Sequence, residues 1–425
     1  MTEPTADWLA YEDALEQVLS RAYPLGVERI PLGQALGRAL ARPVRSPIDH
    51  PAWDNSAMDG FAVRQVDVDG ASRDRPITLP ISDSIPAGQF PKGPLASGTA
   101  ASVMTGAPVP GGATGVIRVE HTDGGDGERV KIFECSDADR HIRRAGEDIG
   151  REDLLLSPGE EITPAATGLL ALAGLAEVDV HRIPRVGVLA NGDELVGFDR
   201  YDEVLADRKV MNSNGHALRA QLLSAGADPV DLGIASDDPA SLRERLDGAV
   251  DCDAIISAAG VSVGEHDYVK SVLDEMGMER VFWRTRMRPG SATLFGVMAG
   301  TPVWGVPGNP VSAMVTFELL VRPALRRISG HRDCLPRRVR VPVGDHISSP
   351  ERVTSFFRVR LDAGDDGRVT ARLTGAQGSG MLTSMLADGL LVVPEGVTEL
   401  QPGAETDLIP LTRWLTGSGD LETRV

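Results

Sequence analysis

Short apolar runs alternate with amphipathic segments between residues 182 and 330. The runs IPRVGVLA and RVFWRTRMR are predicted to be strands. In NSNGHALRAQLLSAGA and NPVSAMVTFELLVRPALRRISG, apolar residues recur at helical spacing, which predicts two helices. Such alternation of strands and helices is typical of a mostly parallel sheet that is covered by helices.

The flanking parts of the chain have a different pattern. WLAYEDALEQVLSRA, which begins at residue 8, has helical spacing of its apolar residues, and LGQALGRALA predicts a second, shorter helix. Residues 45–140 contain short β-like runs that are broken by Gly, Pro and Asp, and short strands between turns are again predicted after residue 330. The sequence therefore predicts a β-rich region before the α/β region and a small β domain after it.

The bulk composition is that of a globular protein. The chain has 425 residues, which corresponds to roughly two to four domains. No apolar stretch reaches the ~18 residues needed to span a bilayer. The acidic N-terminus lacks the basic start and apolar core of a signal peptide. We therefore expect a cytoplasmic protein with no membrane partner.

Charge and cysteine content argue against several further classes of protein and site. The net charge of −18 disfavours nucleic acid and anionic membranes as partners. Cys135, Cys252 and Cys334 lie far apart, and there is no CxxC motif and no cluster of histidines. This argues against a disulfide framework or a structural zinc site.

Polar segments fall next to the predicted strands of the α/β region. They are ANGDEL (190–195), ASDDP (235–239), GVSVGEHD (260–267) and GVPGNP (305–310). In an open parallel sheet, ligands bind beyond the carboxyl ends of the strands. We therefore expect these segments to meet at one edge of the sheet and to form a ligand site.

Acidic residues in these segments suggest a cation. Glu194, Asp237 and Asp267 are placed to share Mg²⁺, which prefers carboxylate and phosphate oxygens. Helix capping is the alternative role, for Asp237 or Asp238 before Pro239 and for Asp267 before Tyr268. Occurring together at one sheet edge, the three acids favour the ligand site.

Two features of the same region suggest anion binding. Gly308 precedes a helix N-terminus, whose free N–H groups favour anions, although a rigid turn into the helix explains VPGNPVSAM equally well. Arg284, Arg286 and Arg288 alternate along a predicted strand, so we expect all three to project from one face and to bind phosphate or an oxyanion. An exposed edge strand protected by charge is the alternative. Neither a Walker loop nor a dinucleotide fingerprint is present.

Two polar stretches lie outside the α/β region. DNSAMDGFAVR (54–64) has the composition of a tight loop around a polar ligand, or of a turn whose side chains bond their own backbone. RRAGEDI (143–149) places two arginines beside two acids, which suggests a phosphate clamp or surface ion pairs.

Six stretches follow one another along the chain: DNSAMDGFAVR, MTGAPVP, RRAGEDI, GDEL, GVSVGEHDYVK and PGNPVSAMVTFELLVRPAL. In their order and residue pattern they closely resemble the molybdopterin molybdenumtransferase family, which includes the gephyrin E-domain. The resemblance runs from about residue 8 to residue 410.

The resemblance implies a homodimer with the active site between subunits. It also implies four domains, namely a discontinuous linker domain (1–48 and 141–181), a β-rich domain (49–140), a molybdopterin-binding α/β domain (182–330) and a C-terminal β-barrel-like domain (331–425).

The resemblance also implies a reaction and its participants. Adenylylated molybdopterin and molybdate are converted to molybdenum cofactor and AMP, with Mg²⁺ as the cation. By motif, the catalytic residues are Asp59, Glu194, Asp237 and Asp267, of which Asp237 and Asp267 bind the metal. The implied substrate-binding residues are Thr105, Asp148, Arg284, Arg288, Pro307, Pro310 and Ser379.

The chain departs from the family pattern at a few positions. Arg284 and Arg288 stand where lysines are usual, Ser291 replaces a third lysine, and Asn191 replaces a threonine. Arginine is bulkier than lysine and binds as a planar fork, so these exchanges are not conservative. One alternative is therefore a catalytically weakened paralogue that acts as a pterin carrier or scaffold. Another alternative, adenylyl transfer to molybdopterin, leaves DNSAMDG and the C-terminal domain unexplained.

Overall fold

Two compact units make up the chain, and the computed structural model describes residues 8–260, 268–364 and 367–411. Unit 1 consists of Met1–Arg42, Pro158–Thr163 and Glu177–Val425, and unit 2 consists of Pro43–Ser157 and Pro164–Ala176.

Unit 1 contains a six-stranded sheet. Its strands are β1 (Arg185–Asn191), β2 (Asp228–Ala235), β3 (Ala254–Ala258), β4 (Glu279–Trp283), β5 (Leu294–Met298) and β6 (Thr301–Val306). The spatial order is β2-β1-β3-β6-β5-β4. Strands β2, β1, β3 and β6 are parallel, whereas the β6–β5 and β5–β4 pairs are antiparallel.

Helices pack on both faces of this sheet. They are α1 (Ser213–Ser224), α2 (Pro239–Asp247), α3 (Tyr268–Glu275) and α4 (Pro310–Thr316). Successive residues of a strand point to opposite faces. Accordingly, Ile256 packs in the apolar cluster that includes α1 and α4, and its neighbour Ile255 packs with α2 and α3. The predicted mostly parallel α/β architecture is confirmed.

The prediction of one strand over RVFWRTRMR was wrong. Strand β4 ends at Trp283, and a separate strand, Thr285–Arg288, belongs to another sheet. Arg284, between them, has φ of 80°, which breaks the strand alternation. Its guanidinium lies 4.8 Å from the ring centre of Trp8 and 4.7 Å from that of Trp283. Cation–π attraction to the two indoles stabilises this conformation.

The long helix predicted after PGNP is interrupted. Helix α4 is followed by a π-helical turn, Phe317–Val321, and then by the helix Arg322–Ile328. Pro323 has no backbone N–H to donate to the preceding turn, so regular helical pairing cannot continue through it. The widened turn accommodates the proline without ending the helix.

LGQALGRALA does not form the predicted helix. Only the 3₁₀ turn Leu32–Gln34 is present. The residues after it pair with distant segments, since the N–H of Leu40 donates to the carbonyl of Glu160 at 3.0 Å and Leu40 also bridges Val180. Long-range pairing therefore overrides the local helical spacing.

A seven-stranded sheet in unit 1 contains the C-terminal strands. Its strands are Leu9–Ala10, Thr285–Arg288, Val339–Pro342, Thr354–Ala363, Val369–Leu373, Gly389–Val393 and Glu405–Pro410. Shorter pairs are Val27–Pro31 with Glu177–His181, Leu195–Val196 with Val210–Met211, and Ile347–Ser348 with Glu399–Leu400. The remaining helices of unit 1 are Tyr11–Leu19 and Tyr201–Leu205, with 3₁₀ turns at Phe198–Arg200 and Leu382–Met385.

Unit 2 is built mainly of strands, as its sequence predicted. Its five-stranded sheet has the order Gly115–Arg118, Gly60–Val63, Ala100–Val103, Ile77–Ile85 and Arg129–Ile132. Two short pairs are Ile142–Arg143 with Asn55–Ser56 and Leu154–Leu156 with Val44–Arg45. The helices are Gln65–Val68 and Pro164–Leu172, and Val119–His121 forms a 3₁₀ turn.

Among the helices that the structure describes, none combines the length and the apolar character needed to cross a membrane.

Candidate functional site

A cavity of about 490 Å³ lies at the carboxyl edge of the parallel strands of unit 1. It is lined by the ends of β1 and β3, by the loop after β6 and by the start of α1. Ligand pockets are typically roughly 300–1,000 Å³ in volume. Of the segments predicted to meet here, ANGDEL and GVPGNP line the cavity, and ASDDP is hydrogen-bonded to a lining residue. Residues 261–267, with the predicted site residue Asp267, lie outside the described residues.

Three of the predicted site residues line the cavity: Glu194, Pro307 and Pro310. The carboxylate of Glu194 lies over Gly192, where a Cβ would be only 2.4 Å from Oε2. Gly308 lies against Ala259, and a Cβ at Gly308 would be 3.2 Å from the Cβ of Ala259. Glycine at both positions therefore permits the close approach that shapes the lining.

Asp237 does not line the cavity, but two N–H donors fix its carboxylate, and one of them belongs to the lining residue Asn191. Asn191 Nδ2 donates to Asp237 Oδ1 at 2.8 Å, and the backbone N–H of Asp193 donates to Oδ2 at 3.3 Å. Of the two acids that could cap α2, Asp238 is the N-cap, and it accepts from the N–H of Ser241 at 2.8 Å. The carboxylate of Asp237 is therefore not used for capping.

The described residues do not complete a cation site. Among residues 8–260, 268–364 and 367–411, no group of three or more His, Cys, Asp or Glu side chains is placed to hold a metal ion. Asp237 supplies a carboxylate of the type that Mg²⁺ prefers. The second predicted ligand, Asp267, lies outside these ranges.

The start of α4 is tied to two other segments. The amide Nδ2 of Asn214 donates to the carbonyl of Gly308 at 2.7 Å. The backbone N–H of Val311 donates to the carbonyl of Ser379 at 3.1 Å. The predicted site residue Ser379 therefore lies next to the PGNP turn, and one of the N–H groups expected to bind an anion already has a backbone partner.

A buried arginine that the sequence analysis missed lies beside Ser379. Arg358 is only 1 % exposed, and its guanidinium contacts Ser384 Oγ at 3.2 Å and the carbonyl of Gly378 at 3.4 Å. Burial, with a smaller effect of the positive charge of Arg288, lowers the pKa of Arg358 to about 10. Burying a guanidinium against neutral groups is costly, so this region favours an anion. The visible signal was an arginine within the apolar strand TSFFRVRLDA.

Only two of the three arginines of WRTRMR lie on one strand face, because Arg286 and Arg288 alternate along Thr285–Arg288 and Arg284 precedes that strand. Arg284 packs between two indoles, as described above. Arg286 pairs with Glu395 at 3.1 Å and donates to the carbonyl of Trp8 at 2.7 Å. Arg288 is exposed at the end of its strand. The expectation of a three-arginine face was therefore wrong, and the substrate-binding roles of Arg284 and Arg288 stay predictions.

In unit 2, the structure brings Asp59 and Thr105 together. Asp59 Oδ1 accepts from the backbone N–H of Thr105 at 2.6 Å and from its Oγ1 at 2.8 Å. These bonds lower the pKa of the exposed Asp59 carboxyl, with the backbone donor as the larger cause. The arrangement keeps an ionised carboxylate at a loop surface.

RRAGEDI also lies in unit 2 and is joined to DNSAMDG. Arg144 Nη1 lies 2.6 Å from Asp54 Oδ2, and the N–H of Ala145 donates to Asp54 Oδ1 at 2.9 Å. Of the two roles predicted for RRAGEDI, a phosphate clamp or surface ion pairs, Arg144 therefore has the second. Asp148 is exposed, and its N–H donates to the carbonyl of His50 at 3.1 Å.

Comparisons with known families cover most of the chain. The model of the MoeA N-terminal region (domains I and II) matches residues 9–174. A probable molybdopterin binding domain matches residues 187–327, and the MoeA C-terminal region (domain IV) matches residues 340–411.

Individual proteins are similar over similar lengths. Molybdopterin molybdenumtransferase 2 of Mycobacterium tuberculosis H37Rv is 39 % identical over 392 residues, which cover 90 % of this chain and 95 % of that protein. Molybdopterin molybdenumtransferase of Nostoc sp. is 33 % identical, with 90 % and 88 % covered. The structure of the molybdopterin biosynthesis MoeA protein of Pyrococcus horikoshii has a TM-score of 0.75 at 32 % identity, with 96 % of this chain and 100 % of that chain covered.

Proposed function

Because the chain belongs to the molybdopterin molybdenumtransferase family, we propose that it inserts molybdate into adenylylated molybdopterin and releases AMP. The observation that carries the proposal is the cavity at the carboxyl edge of the α/β sheet, with Glu194 and the PGNP turn in its lining and Asp237 bonded to its lining residue Asn191. In the reaction, an oxygen of water or molybdate attacks a phosphorus of the pyrophosphate link, the P–O–P bond breaks, and AMP leaves. The two sulfurs of the dithiolene bind molybdenum while one oxygen of molybdate leaves as water with the two thiol protons.

The cavity is the site that we propose for the pterin end of the substrate. Pro307 and Pro310 give the lining a rigid shape, because proline restricts the backbone on both sides of Gly308. Glu194 is in reach of a bound ligand and acts either as a general base or as a cation ligand. Asp237, held by Asn191 and Asp193, contributes a carboxylate of fixed orientation.

The anionic parts of the substrates need positive charge. Arg358 is buried against neutral groups beside Ser379, and Arg288 is close enough to lower its pKa. An oxyanion such as molybdate or phosphate stabilises such a charge and is stabilised by it. We therefore assign the region of Arg288, Arg358 and Ser379 to an anionic group of the substrates.

The remaining participants come from unit 2. We propose a homodimer in which the Asp59–Thr105 loop and Asp148 of one subunit complete the site of the other. The paired and ionised state of Asp59 supports a role in binding or catalysis rather than in packing, because its side chain is exposed. We also propose that the subunit has four domains, at residues 1–48 with 141–181, 49–140, 182–330 and 331–425.

Mg²⁺ belongs to the proposal as the cation that Asp237 and Asp267 bind. When bound, it would offset the negative charge of the carboxylates and the phosphates. The described residues alone do not form its site, so no step is assigned to it. The contributions of the chain are to hold the substrate, to orient Asp237 and to exclude water from the cavity.

A neighbouring pair of acids provides the test. Asp237→Ala removes the carboxylate that accepts from Asn191, whereas Asp238→Ala removes only the N-cap of α2. AMP release from adenylylated molybdopterin should fall by about 100-fold or more in Asp237→Ala. Asp238→Ala should keep the rate and lose about 1 kcal/mol of stability. Equal rates of AMP release in both variants would show that Asp237 has no role in the reaction.

A weakened carrier or scaffold is the second candidate. Two of the three departures from the lysine pattern favour it, because Arg284 packs between Trp8 and Trp283 and Ser291 carries no charge. This candidate predicts tight binding of molybdopterin with no release of AMP under any molybdate concentration. Molybdate-dependent AMP release by the purified protein would contradict it.

A further inference from the structure

The side-chain amide nitrogen of Asn191 is hydrogen-bonded, whereas its amide oxygen has no partner in the part of the chain that the structure describes. Asn191 ends β1, lines the cavity and is only 3 % exposed. Its Nδ2 donates to Asp237 Oδ1 at 2.8 Å. The opposite orientation would place the amide oxygen against the carboxylate, where both atoms are acceptors. The amide oxygen is therefore the atom left over, and it has no hydrogen-bond partner among the described residues.

Leaving this oxygen without a donor is unfavourable. It is shielded from solvent, so bulk water does not replace the missing bond. A buried acceptor without a partner costs about 1–3 kcal/mol. Native structures contain few such groups, and each needs an explanation, such as backbone strain, an ordered water, an ion or a catalytic role.

The same arrangement occurs a second time in this cavity. Asn214 also lines it, and its Nδ2 donates to the carbonyl of Gly308 at 2.7 Å. The amide oxygen of Asn214 likewise has no partner among the described residues. In both lining residues the amide nitrogen thus donates to the protein, whereas the amide oxygen has no donor among the described residues. The cavity is therefore suited to a ligand that carries N–H donors.

We propose that Asn191 is a specificity-determining residue whose amide oxygen accepts an N–H group of the pterin ring. This inference rests on the proposed function, because it takes the pterin to be the occupant of the cavity. A carbonyl oxygen attracts N–H groups and repels oxyanions. The pterin ring carries amide and amino N–H donors, whereas phosphate and molybdate carry none at neutral pH. AMP also has an amino group, so its binding is measured separately from that of molybdopterin.

The variant Asn191→Leu tests the inference, because leucine has a similar shape but neither donor nor acceptor. The matched control is Gln221→Leu. Gln221 is also buried, donates from Nε2 to Glu318 Oε1 at 2.7 Å and has an amide oxygen without a described partner, but it does not line the cavity. Asn191→Ser is measured beside them, so that a folding defect of the leucine variant does not decide the outcome.

Binding of molybdopterin and of AMP is titrated separately, under anaerobic conditions, for all four proteins. Asn191→Leu and Asn191→Ser should bind molybdopterin about 10-fold more weakly. AMP affinity should be unchanged in both, and Gln221→Leu should bind both ligands as the unchanged protein does. Because binding is measured, the result does not depend on turnover.

Two results would overturn the inference and leave the proposed function standing. They are equal molybdopterin affinity in the Asn191 variants and the unchanged protein, and a loss of affinity confined to AMP. An unchanged protein that binds no molybdopterin would overturn the proposed function together with the inference.

Discussion

The bond between Asn191 and Asp237 gives the sharpest stability prediction. In Asn191→Asp, two carboxylates face each other where an amide nitrogen and a carboxylate oxygen now lie 2.8 Å apart. Two like charges about 4 Å apart repel by about 1 kcal/mol in water and about 4 kcal/mol at an effective dielectric constant of about 20. Because Asp237 is half-buried, we expect Asn191→Asp to lose about 2 kcal/mol of unfolding free energy near neutral pH.

Adding Asp237→Asn to Asn191→Asp exchanges donor and acceptor and restores the hydrogen bond with one charge. The double variant should regain most of the lost stability in denaturant unfolding. The single variant should also recover as the pH falls from about 8 to about 4, because like charges raise the pKa of the pair and the folded state then binds a proton. An Asn191→Asp protein as stable as the unchanged one, or a double variant no better than the single, would refute the pairing.

Two further predictions concern unit 2. Thr105→Val removes the Oγ1 donor, so the pKa of Asp59 should rise toward its ordinary value in an NMR titration. On the acid side of its pH profile, the rate of AMP release should then fall at a higher pH than in the unchanged protein. An unchanged pH profile would show that the ionisation of Asp59 does not affect the rate. If the site lies between subunits, mixing inactive Asp59→Asn and Glu194→Gln proteins should restore part of the activity, since some dimers keep one intact site. No restoration in proven mixed dimers would contradict the shared site.

Much of the α/β fold was predictable from local pattern. Strand β3 is buried at every position, so its run of apolar residues is visible in the sequence. The N-cap at Asp238 and Pro239 inside the start of α2 also mark a helix locally. The carboxyl-edge rule then placed Glu194, Pro307 and Pro310 in one cavity without any knowledge of side-chain contacts.

The errors arose where distant contacts decide the backbone. Arg284 adopts a positive φ between two tryptophans, one of which is Trp8, far along the chain. The segment around Leu40 pairs with Glu160 and Val180 rather than forming a helix. No local periodicity encodes such partners.

The chemistry of the site residues depends on partners as well. The sequence marks Asn191 only as a replacement for threonine, and its bond to Asp237 and the lack of a partner for its oxygen among the described residues are seen only in the structure. Arg358 was visible as a charge within an apolar strand, but its burial against neutral groups was not. Sequence pattern located the edge of the sheet, and tertiary contacts assigned the chemistry at that edge.

The most direct test of the central claim follows AMP release and molybdenum transfer in the same reaction. Purified protein is given adenylylated molybdopterin with Mg²⁺, with and without molybdate, in a single turnover. We predict that AMP appears only with molybdate and in an amount equal to the molybdenum bound to the pterin. Bound molybdopterin with no AMP release at any molybdate concentration would contradict insertion and leave the carrier as the function.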